Sequence, residues 1–176
     1  VASAHKFHGP KGIGFLFARK NRRFSPLLLG GAQEKGLRAG TENVAGIVGM
    51  TKAFELSHEN LTKEETDLKD LKKYFVDEIN KRFDFITING THGKSLNNVI
   101  SLVISPEKTN TMLLFSLDMQ GICLSGGSAC GSGAVKSHVA EALAVDPKAG
   151  VLRVSLSRFN TKDELSTLLA VLEEEF

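Results

Sequence analysis

Apolar residues recur along this chain in two rhythms. In LTKEETDLKDLKKYFVDEINKRF, Leu68, Leu71, Phe75 and Ile79 return at steps of three and four, which puts them on one face of a helix. Thr62 and Glu65 have the spacing of a capping box and mark its expected start. At the far end, Leu165, Leu168, Leu169, Leu172 and Phe176 make a second helical stripe, opened by Thr161 and Glu164 at the same spacing. VLRVSLSRF follows the other rhythm. It alternates, with Leu152, Val154 and Leu156 on one face of a strand and Arg153 and Ser155 on the other. Further strands are expected at 85–88, at 98–104 and near 122–124, with a short helix across 109–118.

The first part of the chain is less periodic. GIGFLFAR is a short apolar run between glycine and charge, which predicts a buried strand. SPLLLGGAQEKGLRAGTEN is glycine-rich and irregular, so strand edge and loop are expected there. A helix should begin at Thr41, a good N-cap residue, with Val44, Ile47, Val48 and Phe54 as its apolar positions. The expected fold class is therefore α/β. Residues 1–60 should form the end of a larger sheet domain and the start of a linking helix, and residues 61–176 a small α+β lobe.

Composition narrows the function only by exclusion. At 176 residues, with 41% hydrophobic and 24% charged residues, the chain can build an ordinary globular core. A net charge of +2 gives no electrostatic case for nucleic acid or an acidic membrane as partner. The basic cluster ARKNRR reads as a solvated turn. No apolar run approaches the roughly 18 residues of a membrane span, and no signal-peptide pattern is present. Two cysteines, Cys123 and Cys130, are too few for a disulfide framework, which points to a reducing, cytoplasmic setting. The chain opens on Val1 and runs straight into motif-like sequence, so it is expected to be part of a longer polypeptide.

Several familiar motifs fail on inspection. GPKGIG has its glycines in the wrong order for a dinucleotide fingerprint, and no P-loop is present. GGSAC has Cys130 where a nucleophile elbow needs glycine. The spacing of Cys123 and Cys130 is not that of zinc ligands, so no metal site is expected. Four features remain. Lys6, in SAHKFHGPKGIG, could form a Schiff base if its free amine is populated, with Ser3 and His5 as donors for a phosphate; the plain alternative is a surface lysine. Cys130 lies in SGGSACGSG, where glycines would let a reactive thiol move, although a structural cysteine fits too. Cys123, between apolar neighbours, is expected to be buried and inert. Arg153 is either one charge on a solvated sheet face or a two-point clamp for a carboxylate. Thr41 is either a simple cap or a hydroxyl completing a phosphate site at a helix N-terminus.

SAHKFHGPKGIG, GGAQEKGLRAGTEN, SGGSACGSG and LRVSLSRFNTKDEL occur together, in the order and at about the spacing of cysteine desulfurases of the NifS/IscS type. The chain resembles the C-terminal portion of such enzymes, which use pyridoxal 5′-phosphate (PLP) and have the aspartate aminotransferase-like fold of class V. The resemblance implies that Lys6 holds PLP covalently and shuttles protons, while Ser3 and His5 hold its phosphate. Thr41 would reach the phosphate bound mainly by the partner subunit of a homodimer. Cys130 would take sulfur from L-cysteine as a persulfide, releasing L-alanine, and Arg153 would bind the substrate carboxylate. The long glycine-rich cysteine loop resembles the branch serving iron–sulfur cluster assembly, with a scaffold protein as sulfur acceptor. Ala32 departs from the family, where a third glycine is common. The family's ring-stacking histidine and its acidic partner for the pyridine nitrogen precede SAHK, so the PLP site here is incomplete. The isolated chain is expected to bind PLP weakly and to show little activity. Alternatives are a selenocysteine lyase or another PLP lyase of the superfamily, or a non-catalytic interaction module.

Overall fold

The computed structural model describes residues 1–20, 22, 24–90, 95–126 and 138–176. The chain divides into two compact units, Val1–Thr62 and Lys63–Phe176.

In the first unit, β1 (Ala2–Ser3) pairs antiparallel with β2 (Gly14–Phe15), with Ala2 opposite Phe15 and Ser3 opposite Gly14. A single 3-10 turn, Ala4–Phe7, leaves β1 at once. α1 runs from Val44 to Glu59. Two expectations are corrected here. The run after Gly14 is not a buried strand: pairing stops at Phe15, and Leu16 and Phe17 are 57% and 76% exposed. The helix does not start at Thr41 either. Asn43 caps it, its Oδ1 accepting the Gly46 N–H at 3.0 Å, and Thr41 lies two residues outside.

In the second unit, α2 (Leu61–Arg82) leads into a four-stranded antiparallel sheet of order β3-β4-β6-β5. Its strands are β3 (Ile86–Asn89), β4 (Val99–Ile104), β5 (Ser125–Gly126) and β6 (Gly150–Ser155). α3 (Leu113–Met119), α4 (His138–Ala142) and α5 (Lys162–Glu175) complete it. Phe75 and Ile79 of α2, Leu113 and Leu117 of α3, and Leu165, Leu168, Leu169 and Leu172 of α5 pack with Ile100, Leu102, Leu152 and Val154 of the sheet in one core. Each such side chain contributes about 1.5–3 kcal/mol by leaving water. The expected faces of α2, β6 and α5 are therefore the faces that pack.

Local chemistry fixes the ends of these elements. Thr161 Oγ1 accepts the Glu164 N–H and the Glu164 carboxylate accepts the Thr161 N–H, so the expected capping box at α5 is present. At α2 it is not, because the helix already begins at Leu61 and Thr62 sits inside its first turn. Lys72 Nζ donates to Ser95 Oγ (3.0 Å) and to the carbonyls of Leu96 (2.7 Å) and Val99 (3.2 Å), which ties the approach to β4 onto α2. Burial pushes the Lys72 ammonium pKa down from its ordinary 10.5. The strand expected near 122–124 forms later, at Ser125–Gly126. Ile122 and Leu124 are half-buried against the core, so the residue between them faces out: Cys123 is exposed, not buried, with its Sγ 3.9 Å from Asp118 Oδ1. No helix among the described residues is long and apolar enough to cross a membrane.

Candidate active site

Lys6 occupies the third position of the 3-10 turn that interrupts the first hairpin. The turn is held from both ends. The Ala4 N–H donates to the Ile13 carbonyl at 3.0 Å, and the Gly9 N–H to the Ala4 carbonyl at 2.8 Å. His8 closes it in the left-handed region at φ 66°. Two glycines permit this closeness, since a Cβ on Gly14 would meet Ala2 O at 2.4 Å and one on Gly9 would meet the Ala4 Cβ at 2.9 Å.

α1 supports the turn from below. Phe7 and Phe15 both meet the Phe54 ring edge-on, at 6.0 and 6.1 Å between centroids. Ser57 Oγ donates to the Phe7 carbonyl at 3.4 Å, and Pro10 packs onto Gly49, where a Cβ would stand 2.8 Å from the proline ring. On this backing Lys6 and His5 are exposed and Ser3 is half-buried. Among the described residues the side chains of all three are uncommitted, for Ser3 makes no cap hydrogen bond and Lys6 enters no ion pair. The set is an imidazole and an amine on successive residues of the turn with a hydroxyl on the residue before it, a donor chemistry that suits a carbonyl group and a phosphate. The donor chemistry fits PLP.

Thr41, in the same unit, is exposed just ahead of α1. The segment before it is folded onto itself: Gln33 Oε1 accepts the Gly40 N–H at 3.1 Å, and Arg38 Nη1 donates to the Ala39 carbonyl at 2.7 Å. Glu34 and Lys35 both adopt positive φ, 49° and 59°. Among the described residues Thr41 thus keeps a free hydroxyl while Asn43 does the capping.

In the second unit Arg153 lies on the sheet face turned away from the core, between the buried Leu152 and Val154. Its Nη2 donates to Ser125 Oγ at 3.1 Å, directly opposite on β5. Ser125 was not singled out from the sequence; only strand register could have found it. Cys130, five residues further along, lies outside the described residues, as do residues 127–137 around it. Among the described residues no cluster of His, Cys, Asp or Glu could hold a metal ion. The structure therefore places Ser3, His5, Lys6 and Thr41 in one unit and Arg153 in the other.

The family pattern "Aminotransferase class-V" matches residues 1–168, and the chain belongs to that family. It is 43% identical over 174 residues to "Cysteine desulfurase IscS" of Dictyoglomus turgidum, covering 97% of this chain and 44% of that protein. It is 40% identical over 169 residues to "Putative cysteine desulfurase IscS 1" of Bacillus subtilis, covering 94% and 44%. Among solved structures, a "NIFS-LIKE PROTEIN" superposes with a TM-score of 0.85 at 36% identity, over 98% of this chain and 44% of that one. The chain thus spans less than half the length of these relatives.

Proposed function

We propose that this chain forms part of a PLP-dependent cysteine desulfurase, which takes sulfur from L-cysteine and releases L-alanine. The observation that carries the reading is the lysine turn. The turn that carries Lys6 is held by backbone hydrogen bonds and two close glycine approaches, its amine is unengaged among the described residues, and the chain's similar relatives bear the name cysteine desulfurase.

Lys6 Nζ would hold the cofactor, with the Ser3 hydroxyl and the His5 imidazole on its phosphate. When bound, PLP supplies an electron sink for the substrate α-carbon. Every other task falls to side chains of the chain. Lys6 Nζ moves a proton at that carbon once its amine is free. Arg153 holds the substrate carboxylate, which a planar fork on a strand does better than a flexible ammonium. The Cys130 thiolate attacks the substrate sulfur; the new S–S bond replaces the C–S bond, and the substrate carbon is protonated to give alanine. Cys130 is left as a persulfide for an acceptor.

Finer points belong to the same proposal. The acceptor is a protein such as an iron–sulfur scaffold, the enzyme is a cytoplasmic homodimer, and Thr41 reaches the phosphate bound by the partner subunit. The test is alanine release from L-cysteine by the PLP-loaded enzyme that contains this chain. Cys130→Ser should abolish it and Cys123→Ser should not. Activity indifferent to Cys130→Ser would favour a selenocysteine lyase or another PLP lyase instead.

A further inference from the structure

Arg153 stands in a polar row that crosses all four strands of the sheet. Register sets Asn89 opposite Ser101, Ser101 opposite Arg153, and Arg153 opposite Ser125. Neighbours along β3, β4 and β6, namely Ile88, Ile100, Leu102, Leu152 and Val154, turn into the core, so the row lies on the other face. Two hydrogen bonds divide it into pairs. Asn89 Nδ2 donates to Ser101 Oγ at 3.1 Å, and Arg153 Nη2 donates to Ser125 Oγ at 3.1 Å. Ser101 is thereby engaged on its β3 side, and the guanidinium turns to β5. No carboxylate pairs with Arg153 among the described residues.

An exposed arginine samples many rotamers, whereas two-point capture of a carboxylate uses one, so freedom lost on binding weakens the complex. The Ser125 hydroxyl removes part of that freedom in advance. It occupies one of five N–H donors and, being neutral, leaves the positive charge for a ligand. A carboxylate in its place would have neutralised the site. Among the described residues β5 comprises Ser125 and Gly126, and Ser125 faces Arg153 across the ladder.

We propose that Ser125 is a positioning residue that pre-orients Arg153 for the α-carboxylate of the amino-acid substrate. This deepens the reading above and rests on Arg153 being the carboxylate ligand.

The experiment uses the PLP-loaded enzyme containing this chain and compares wild type, Ser125→Ala, Ser125→Thr, Arg153→Ala and the double variant S125A/R153A. Two quantities are read: KM for L-cysteine and the dissociation constant for L-alanine. Ser125→Ala should raise both about three- to tenfold, the modest effect of losing one charge-assisted hydrogen bond near solvent. The rise in KM should exceed any fall in kcat, and Ser125→Thr should restore it. In the Arg153→Ala background, Ser125→Ala should add nothing. If Arg153→Ala weakens alanine binding but Ser125→Ala does not, the positioning role is overturned while the carboxylate reading stands. If Arg153→Ala leaves both constants unchanged, the carboxylate reading falls and takes the role of Ser125 with it. An equal effect of Ser125→Ala with and without Arg153 would mean a sheet-edge role only and would also overturn the proposal.

Discussion

A Cβ on Gly14 would stand 2.4 Å from the carbonyl oxygen of Ala2, so the lysine hairpin closes only around a glycine. Any side chain at 14 must push β1 and β2 apart. Gly14→Ala is therefore expected to cost about 1–3 kcal/mol through overpacking. Amide exchange should quicken at Ala4, whose N–H is bonded to the Ile13 carbonyl across the same hairpin. Unchanged exchange at Ala4 would show that Gly14 does not hold the turn.

Thr41 and Asn43 should separate by readout. Asn43 caps α1, so Asn43→Ala should lower stability by about 1 kcal/mol, with Asn43→Asp close to wild type. Thr41 makes no capping bond, so Thr41→Ala should leave thermal stability almost unchanged. If Thr41 serves the cofactor phosphate as proposed, that variant should retain PLP less well in the PLP-loaded enzyme containing this chain. Thermal unfolding and PLP retention after dialysis measure the two effects.

The N-terminus of α5 should carry an acid-sensitive part of the stability. The Thr161 backbone N–H and then Asn160 Nδ2 donate to the Glu164 carboxylate, which holds its pKa below the ordinary 4.5. A group with a lowered native pKa stabilises fully above its unfolded value, and that stabilisation is lost as pH falls through the native value. Denaturation across the range from 4.5 downward should thus show a shallower loss for Glu164→Gln than for wild type. Parallel curves would count against the box.

Lys72 offers a test of the second unit's architecture. Lys72→Met keeps the aliphatic stem but leaves the Leu96 and Val99 carbonyls without their donor. A loss of about 1–3 kcal/mol is expected in urea unfolding. Exchange should also rise at the Leu156 amide, which bonds the Asn98 carbonyl beside the released segment.

What the sequence revealed, and what it hid, follows from the range of the forces involved. The alternation of Leu152, Val154 and Leu156 and the Thr161/Glu164 spacing are local signals, and both appear in the fold as written. The start of α1 was harder. Thr41 and Asn43 are both good caps, and only the reach of Asn43 Oδ1 to Gly46 decides between them. At Thr62 a capping spacing was overruled because α1 passes into α2 with one residue, Asn60, between them. Leu16 and Phe17 show the limit of apolar runs, which announce a need for cover without naming what supplies it. Cys123 is exposed where burial is expected, because apolar neighbours on a chain can put the residue between them on the opposite face. The proposed site residues Ser3, His5, Lys6, Thr41, Cys130 and Arg153 all come from motifs, whereas Ser125 emerges only from cross-strand register, which couples residues 28 apart.

The most direct measurement is borohydride reduction of the PLP-loaded enzyme containing this chain, followed by peptide mapping. A pyridoxyl group fixed on Lys6, within the SAHKFHGPK stretch, is expected, with no retained label in a Lys6→Ala variant. A label fixed on any other lysine, or the same label surviving Lys6→Ala, would contradict the proposed role of Lys6.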